Sequence, residues 1–350
     1  MPRIVAVGTA VPPYHFDQQE IRHSACQHFQ GNLSRVEKLL SVFDNVEVKQ
    51  RFFCVPLDWF LQDHTFTEKN EKYIFWSRQL SIEAIEDCFN KTHLGPDDID
   101  HLIFVSTSGM STPSIDAHII NKMKFSPHTK RTPIFGLGCA GGAAGLSRCV
   151  DLARGAPRKR ILLVAVELSS LTFQHKDFSK SNFIASALFS DGAAAVVVCG
   201  DQCPDEGIGM VDTYSTLWPD TLDIMGWEFS ETGLSIIFSP EIPQLLNSHI
   251  QQTISEFLTK NGIALEDLSH FAIHPGGAKI LHAFERSLGL NSRMLASSRS
   301  VLKHYGNMSS STVIFILEHL TRKFSPDDGT YGLCAAFGPG FSSELILLKW

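Results

Sequence analysis

Cys139 lies in an apolar run that breaks into glycines around one thiol, Pro133-Ile-Phe-Gly-Leu-Gly-Cys-Ala-Gly-Gly-Ala-Ala-Gly145. Two later segments carry polar groups that could serve it, His274-Pro-Gly-Gly277 and Tyr305-Gly-Asn-Met-Ser-Ser310. A cysteine at a strand-to-helix turn, with an imidazole and an amide available elsewhere, is the raw material for an activated thiolate. That combination points to acyl transfer. The plain alternative for Cys139 is a buried structural thiol, the role we assign to Cys26, Cys88 and Cys149. His274 ends the apolar strand Phe271–Ile273 ahead of a glycine turn, where functional groups are commonly displayed. Asn307 leads through Met308 and three serines into an apolar helix, so helix capping is its local alternative. Cys199 and Cys203 form a C-x3-C pair with neither a second pair nor a nearby histidine, so they are read as structural and no metal is expected.

These side chains need a frame to hold them. Short apolar runs at Arg3–Val7, Leu102–Ser106, Thr132–Phe135, Ile161–Val166, Ala193–Val198, Phe271–Ile273 and Leu345–Leu348 read as strands. Helical patterns lie between them at Lys72–Lys91, Ala143–Arg154, Ile242–Asn261 and Thr312–Phe324. The alternation predicts an α/β architecture with sheets covered by helices. The polar stretch Gly200–Gly207 is the best internal boundary. The 350 residues suffice for one large domain or two fused ones. At 43% hydrophobic and 19% charged, the chain has the makings of a sizeable core. A net charge of -7 argues against nucleic acid as a partner, since phosphate binding needs a basic surface. No segment approaches the roughly 18 unbroken apolar residues of a membrane span. The scattered cysteines and the absence of a targeting signal lead us to expect a cytoplasmic protein.

Gly136-Leu-Gly-Cys-Ala-Gly141 also matches the dinucleotide pattern G-x-G-x-x-G, with Glu167 at the end of the next strand as a possible ribose ligand. This keeps an NAD-dependent dehydrogenase open. Against it, the pattern lies mid-chain, and a pyrophosphate loop has no need of a thiol. Small residues from Gly141 to Gly145 are better explained as letting a helix start pack tightly beneath a nucleophile.

Taken together, Gly138-Cys-Ala-Gly-Gly142, Ala187-Leu-Phe-Ser-Asp-Gly-Ala-Ala-Ala195, His274-Pro-Gly-Gly277, Tyr305-Gly-Asn-Met-Ser-Ser310 and Phe337-Gly-Pro-Gly340 resemble the type III polyketide synthases. These form the chalcone synthase superfamily. The segments run in family order from about residue 100 to the C-terminus, and the N-terminal third matches more loosely. The resemblance implies a thiolase-like five-layer αβαβα fold of two related halves, 1–205 carrying the cysteine and 206–350 carrying the histidine and asparagine. It also implies a homodimer that uses acyl-CoA and malonyl-CoA as substrates, with no cofactor. Cys139 would be the nucleophile, with His274 and Asn307 as its partners.

Phe189 falls on the family's gating phenylalanine, and Ile236 on a second phenylalanine position. Lys38 matches one basic position of the plant coenzyme A phosphate cluster, while Ser41 and Asn45 occupy the other two, which leaves Lys49 or Arg51 to substitute. The stretches Thr107–Ala117, Thr129–Gly142 and Met225-Gly-Trp227 resemble bacterial alkylpyrone and alkylresorcinol synthases, which accept long fatty acyl starters. Thr112 stands where plant members carry a methionine that reaches across the dimer. With Ile236 and Trp227 it is expected to shape the starter pocket. A β-ketoacyl carrier-protein synthase and a noncatalytic acyl-binding relative are the alternatives of the same fold.

Overall fold

The computed structural model describes residues 1–28, 40–324 and 326–350. Its central strands are apolar on both faces because both faces are covered. Thus β4 (His101–Val105), β6 (Arg160–Leu168) and β7 (Asp191–Cys199) are almost wholly buried, flanked by β1 (Arg3–Ala10) and β5 (Lys130–Ile134). The C-terminal half supplies β8 (Ile208–Leu217), β11 (Leu268–Ile273), β12 (Tyr331–Gly338) and β13 (Ser342–Lys349). These nine run in the order β11-β12-β13-β8-β1-β7-β6-β4-β5. The two halves join where β1 meets β8, through the pairs Arg3↔Gly209 and Ile4↔Ile208. Two hairpin-like pairs stand apart, β2 (Tyr14–Asp17) with β3 (Gln50–Phe53), and β9 (Met225–Ser230) with β10 (Gly233–Phe238).

The layers follow from which residues pack together. Helices Gly141–Gly155 and Thr312–Phe324 share one core with Ile103, Leu163 and Val196 of the first wing and Ala272, Cys334 and Ile346 of the second. They form the middle layer. Helices Phe66–Phe89 and Ile115–Met123 cover the other face of the first wing, through Leu80, Ile85 and Ile119 against Leu102, Phe104 and Leu162. Helices Ile242–Lys260 and Ala278–Leu288 cover the second, through Phe257, Leu281 and Phe284 against Phe271, Leu333 and Leu347. The result is the five-layer αβαβα arrangement. The long helix Phe66–Phe89 starts on a reciprocal cap. Thr65 Oγ1 accepts from the Glu68 N–H, and Glu68 Oε2 accepts from the Thr65 N–H at 2.8 Å.

All seven expected strands are present with slightly different ends, and the helix Thr312–Phe324 has the expected bounds. The expectation omitted β8, β12 and both isolated pairs. β12 reads Tyr-Gly-Leu-Cys-Ala-Ala-Phe-Gly, small residues with little strand preference of their own, and burial between β11 and β13 makes it a strand. Cys199 and Cys203 gain an unexpected neighbour in Asp205, the three ligand atoms lying within 4.8 Å of one another. Arg160 Nε sits 2.9 Å from the Asp205 carboxylate, and both thiols donate to backbone carbonyls, so protein groups already serve this cluster. Among the described residues no helix is long and apolar enough to cross a membrane.

Candidate active site

Strand β5 ends at Ile134, and Cys139 follows in the short 3-10 turn Gly138–Ala140 that opens the helix Gly141–Gly155. Gly138 holds φ at 46°, a left-handed value that suits glycine, and its N–H donates to Thr107 Oγ1 at 3.2 Å. Gly142 is needed for a different reason. A Cβ there would come within 2.1 Å of the Ser310 carbonyl oxygen. Its absence lets the helix start press against the turn Ser309–Ser311. The dinucleotide reading fails at Gly138, the glycine a pyrophosphate would approach, because a Cβ there would already meet Pro339 at 2.8 Å.

The close approach brings Cys139 into contact with Ser309 and Asn307. Asn307 Oδ1 accepts from the Ser309 N–H at 2.8 Å, which fixes the amide orientation and leaves Nδ2 as a donor. Its contact to the Gly276 carbonyl, at 3.4 Å, is long. His274 is held at the end of β11 by its N–H, which donates to the Ala335 carbonyl at 2.8 Å. Its ring is buried, and neither nitrogen meets a protein partner.

Burial dominates the electrostatics. It pushes the Cys139 thiol up to about 12, with Glu167 adding to the rise and Ser309 and Asn307 opposing it. It pulls the His274 imidazole down to about 3. Burial thus disfavours a charge on either group taken alone, because each would stand unpaired in a dry interior.

Glu167 is a support whose role sequence reasoning missed. It is fully buried at the end of β6, accepting from the Thr107 N–H at 3.1 Å and from the Ser310 hydroxyl at 2.7 Å. Burial raises it to about 7, against those hydrogen bonds. It ties the Thr107 loop to the Ser310 turn directly behind the thiol. Ser309 was also missed as a contact of Cys139. The one local signal for it was its place two residues after Asn307.

The buried imidazole makes a stability prediction. His274 titrates near 6.5 in the unfolded chain and near 3 in the fold. The unfolded state therefore binds the proton first. The stability due to a neutral His274 is fully present above about 6.5 and is lost as pH falls toward about 3. His274→Asn should consequently lose less melting temperature than the parent between pH ~7 and pH ~5. Equal losses would show that His274 is not buried neutral.

The remaining expected residues separate. Phe189, Trp227 and Ile236 line one narrow cavity of about 60 Å³ together with Ile21, Phe53 and Phe60. The Phe189 and Trp227 rings are 6.4 Å apart, and Trp227 pairs directly across the β9–β10 strands with Ile236. Thr112 does not line this cavity. It is exposed on the loop after β4. Lys38 lies outside the described residues. Lys49 is exposed on an open groove that it shares with Arg293 and Lys303. Arg51 is corrected. It is fully buried, donating from Nη1 to the Phe189 carbonyl at 2.8 Å and from Nε to Gln18 Oε1 at 3.2 Å, and cannot reach a phosphate at the surface.

Comparison with known proteins agrees with this geometry. Residues 2–202 match the family model described as chalcone and stilbene synthases, N-terminal domain, and residues 210–350 the C-terminal domain of the same family. A putative chalcone synthase of Bacillus subtilis (strain 168) is 38% identical, covering 99% of this chain and 98% of that protein. A 1,3,6,8-tetrahydroxynaphthalene synthase of Streptomyces peucetius subsp. caesius is 34% identical, covering 99% and 93%. The crystal structure of the 1,3,6,8-tetrahydroxynaphthalene synthase of Streptomyces coelicolor A3(2) superposes with a TM-score of 0.95 at 28% identity, over 99% of both chains. With both halves matched in order over nearly its whole length, the chain belongs to the chalcone and stilbene synthase family and is a type III polyketide synthase.

Proposed function

We propose that this enzyme loads a long-chain fatty acyl group from coenzyme A onto Cys139, extends it with malonyl-CoA, and closes the product to alkyl-α-pyrones. The observation that supports the starter choice is the cavity beside Phe189, where Ile21, Ala25, Phe53, Leu57, Phe60 and Ile236 give one apolar stretch of a mixed wall. Each methylene buried in such a wall contributes up to ~0.8 kcal/mol, so a few decide between starters.

Loading begins with transfer of the Cys139 proton to His274. Forming both charges together lets their attraction offset the burial cost that keeps each group neutral alone. The thiolate attacks the acyl-CoA carbonyl, and coenzyme A leaves as its thiol after taking up a proton. Malonyl-CoA then places its thioester oxygen against Asn307 Nδ2 and a His274 ring nitrogen. Loss of carbon dioxide leaves the electron pair as an enolate, whose oxygen those donors stabilise. The enolate carbon attacks the Cys139 thioester, the C–S bond breaks, and the chain, longer by two carbons, is released on coenzyme A. It reloads for the next cycle. An enol oxygen attacking the final thioester gives the lactone ring and frees the thiol, whereas aldol closure, a chain carbon attacking a chain ketone with loss of water, would lead to a resorcinol.

Lys49, with Arg293 and Lys303 on its groove, is the proposed phosphate handle for coenzyme A. A homodimer belongs to the same proposal, in which exposed Thr112 reaches the pocket of a second copy. So does the division into halves 1–205 and 206–350.

The test is product mass spectrometry with malonyl-CoA and acyl-CoA starters of graded length. Long-chain starters should exceed acetyl-CoA several-fold in kcat/KM, and Ile236→Phe should narrow the cavity and move the optimum to shorter chains. A profile independent of length, or a tetrahydroxynaphthalene product such as the Streptomyces relatives are named for, would overturn the fatty starter.

A further inference from the structure

Arg51 is a buried cation with one nitrogen unused. Nε and Nη1 are engaged by Gln18 and the Phe189 carbonyl, but Nη2 is buried without a protein partner. Among the described residues no carboxylate forms an ion pair with the guanidinium. Its nearest acid, Asp191, is already engaged by the Ser170 hydroxyl and N–H and by the Cys54 N–H. Buried charges are normally paired directly, so one that has only Asp191 nearby, without an ion pair, on the wall of a cavity marks a place where something else supplies a counter-group. Arg51 lines the cavity beside Phe189, and so does Ser169, whose hydroxyl is likewise buried without a partner. Two unserved polar groups thus belong to residues on the wall of one cavity, which also carries Ser24, Ser170, Thr172, Asn182 and Ser186 among its apolar side chains.

We propose that Arg51 Nη2 and Ser169 Oγ bind a carbonyl or enolate oxygen of the growing β-keto chain in this cavity. This rests on the reading of the cavity as the chamber that receives the chain. An alkyl starter has no oxygen beyond its thioester, so it gains nothing from Arg51. After one condensation the chain carries a 1,3-dicarbonyl, whose enolate spreads its charge over two oxygens and suits a planar guanidinium donor. The grip is therefore acquired only by extended intermediates. It holds them against early release and sets how many extensions are completed. The Nη1 bond to the Phe189 carbonyl gives the same side chain a fixed position from which to do this.

The experiment measures the distribution of di-, tri- and tetraketide products from hexanoyl-CoA and malonyl-CoA, together with melting midpoints. Variants are Arg51→Gln, Arg51→Lys and Ser169→Ala. Arg51→Gln should shift the ratio of longer to shorter products downward by roughly tenfold or more, the scale of a lost hydrogen bond to a charged group. Ser169→Ala should move it several-fold in the same direction, and Arg51→Lys should fall between. A second readout uses the Cys139→Ala protein, which should shift an alkyl 1,3-diketone toward its enolate absorption band, while the same protein with Arg51→Gln should not.

A merely structural Arg51 would lower melting and all products together at an unchanged ratio, which would overturn the proposal. Where the Arg51 variants do not fold, an unchanged ratio in Ser169→Ala overturns it alone. Failure of the long-chain reading is separate. It would appear as a flat starter profile, with the product ratio still responding to these substitutions.

Discussion

Cys139→Ala is expected to abolish product formation and leave the melting midpoint almost unchanged. The substitution removes the only atom that can carry the acyl group and vacates the volume of one sulfur. Intact-protein mass spectrometry after exposure to acyl-CoA should show an adduct in the parent and none in the variant. Product formation at parental rates in the alanine protein would end the covalent scheme. Burial pushes the thiol up to about 12, so iodoacetamide should react first with half-buried Cys26 and only slowly with Cys139. Acyl-CoA should protect Cys139, whereas NAD should not.

The second large effect separates loading from extension. Asn307→Ala should still accept an acyl group on Cys139 but decarboxylate malonyl-CoA some ~10²–10³-fold more slowly, the range for a lost oxyanion donor. Asn307→Asp should be at least as poor. An aspartate can keep the bond from the Ser309 N–H, yet it offers the enolate a second negative oxygen in place of Nδ2. His274→Ala should impair both steps, since it also takes the thiol proton. Release of carbon dioxide from malonyl-CoA and acyl-adduct formation read the two steps independently. Parental decarboxylation in Asn307→Asp would remove the donor role.

Much of this site could be read in the chain because its key residues sit where local signals are strong. Cys139 stands at a break from apolar run to glycines, and His274 and Asn307 each stand at the end of an element. Their supports were invisible for a physical reason. Glu167 owes its role to Thr107 and Ser310, 60 and 143 residues away, and nothing near it in sequence distinguishes it from a strand-end acid. Arg51 looked like a surface cation among charged neighbours. The β2–β3 pairing turns it inward, 138 residues from the carbonyl it serves. The fold was legible for the same kind of reason, since β-branched runs announce buried strands. β12 escaped because glycine, cysteine and alanine become a strand only once neighbours pair with them.

Residue 189 is fastened on every side. Its N–H donates to the Ala185 carbonyl at 2.9 Å, its carbonyl accepts from Arg51, and its neighbours Leu188 and Ser190 are bonded to the Asn307 backbone. The main chain at Phe189 and the main chain at the amide donor therefore move as one piece or not at all. In the gate role proposed for Phe189, substrate passage would then turn on the ring alone, with the backbone fixed to Asn307. Substitutions at Phe189 should change which substrates fit and leave the position of the amide donor untouched.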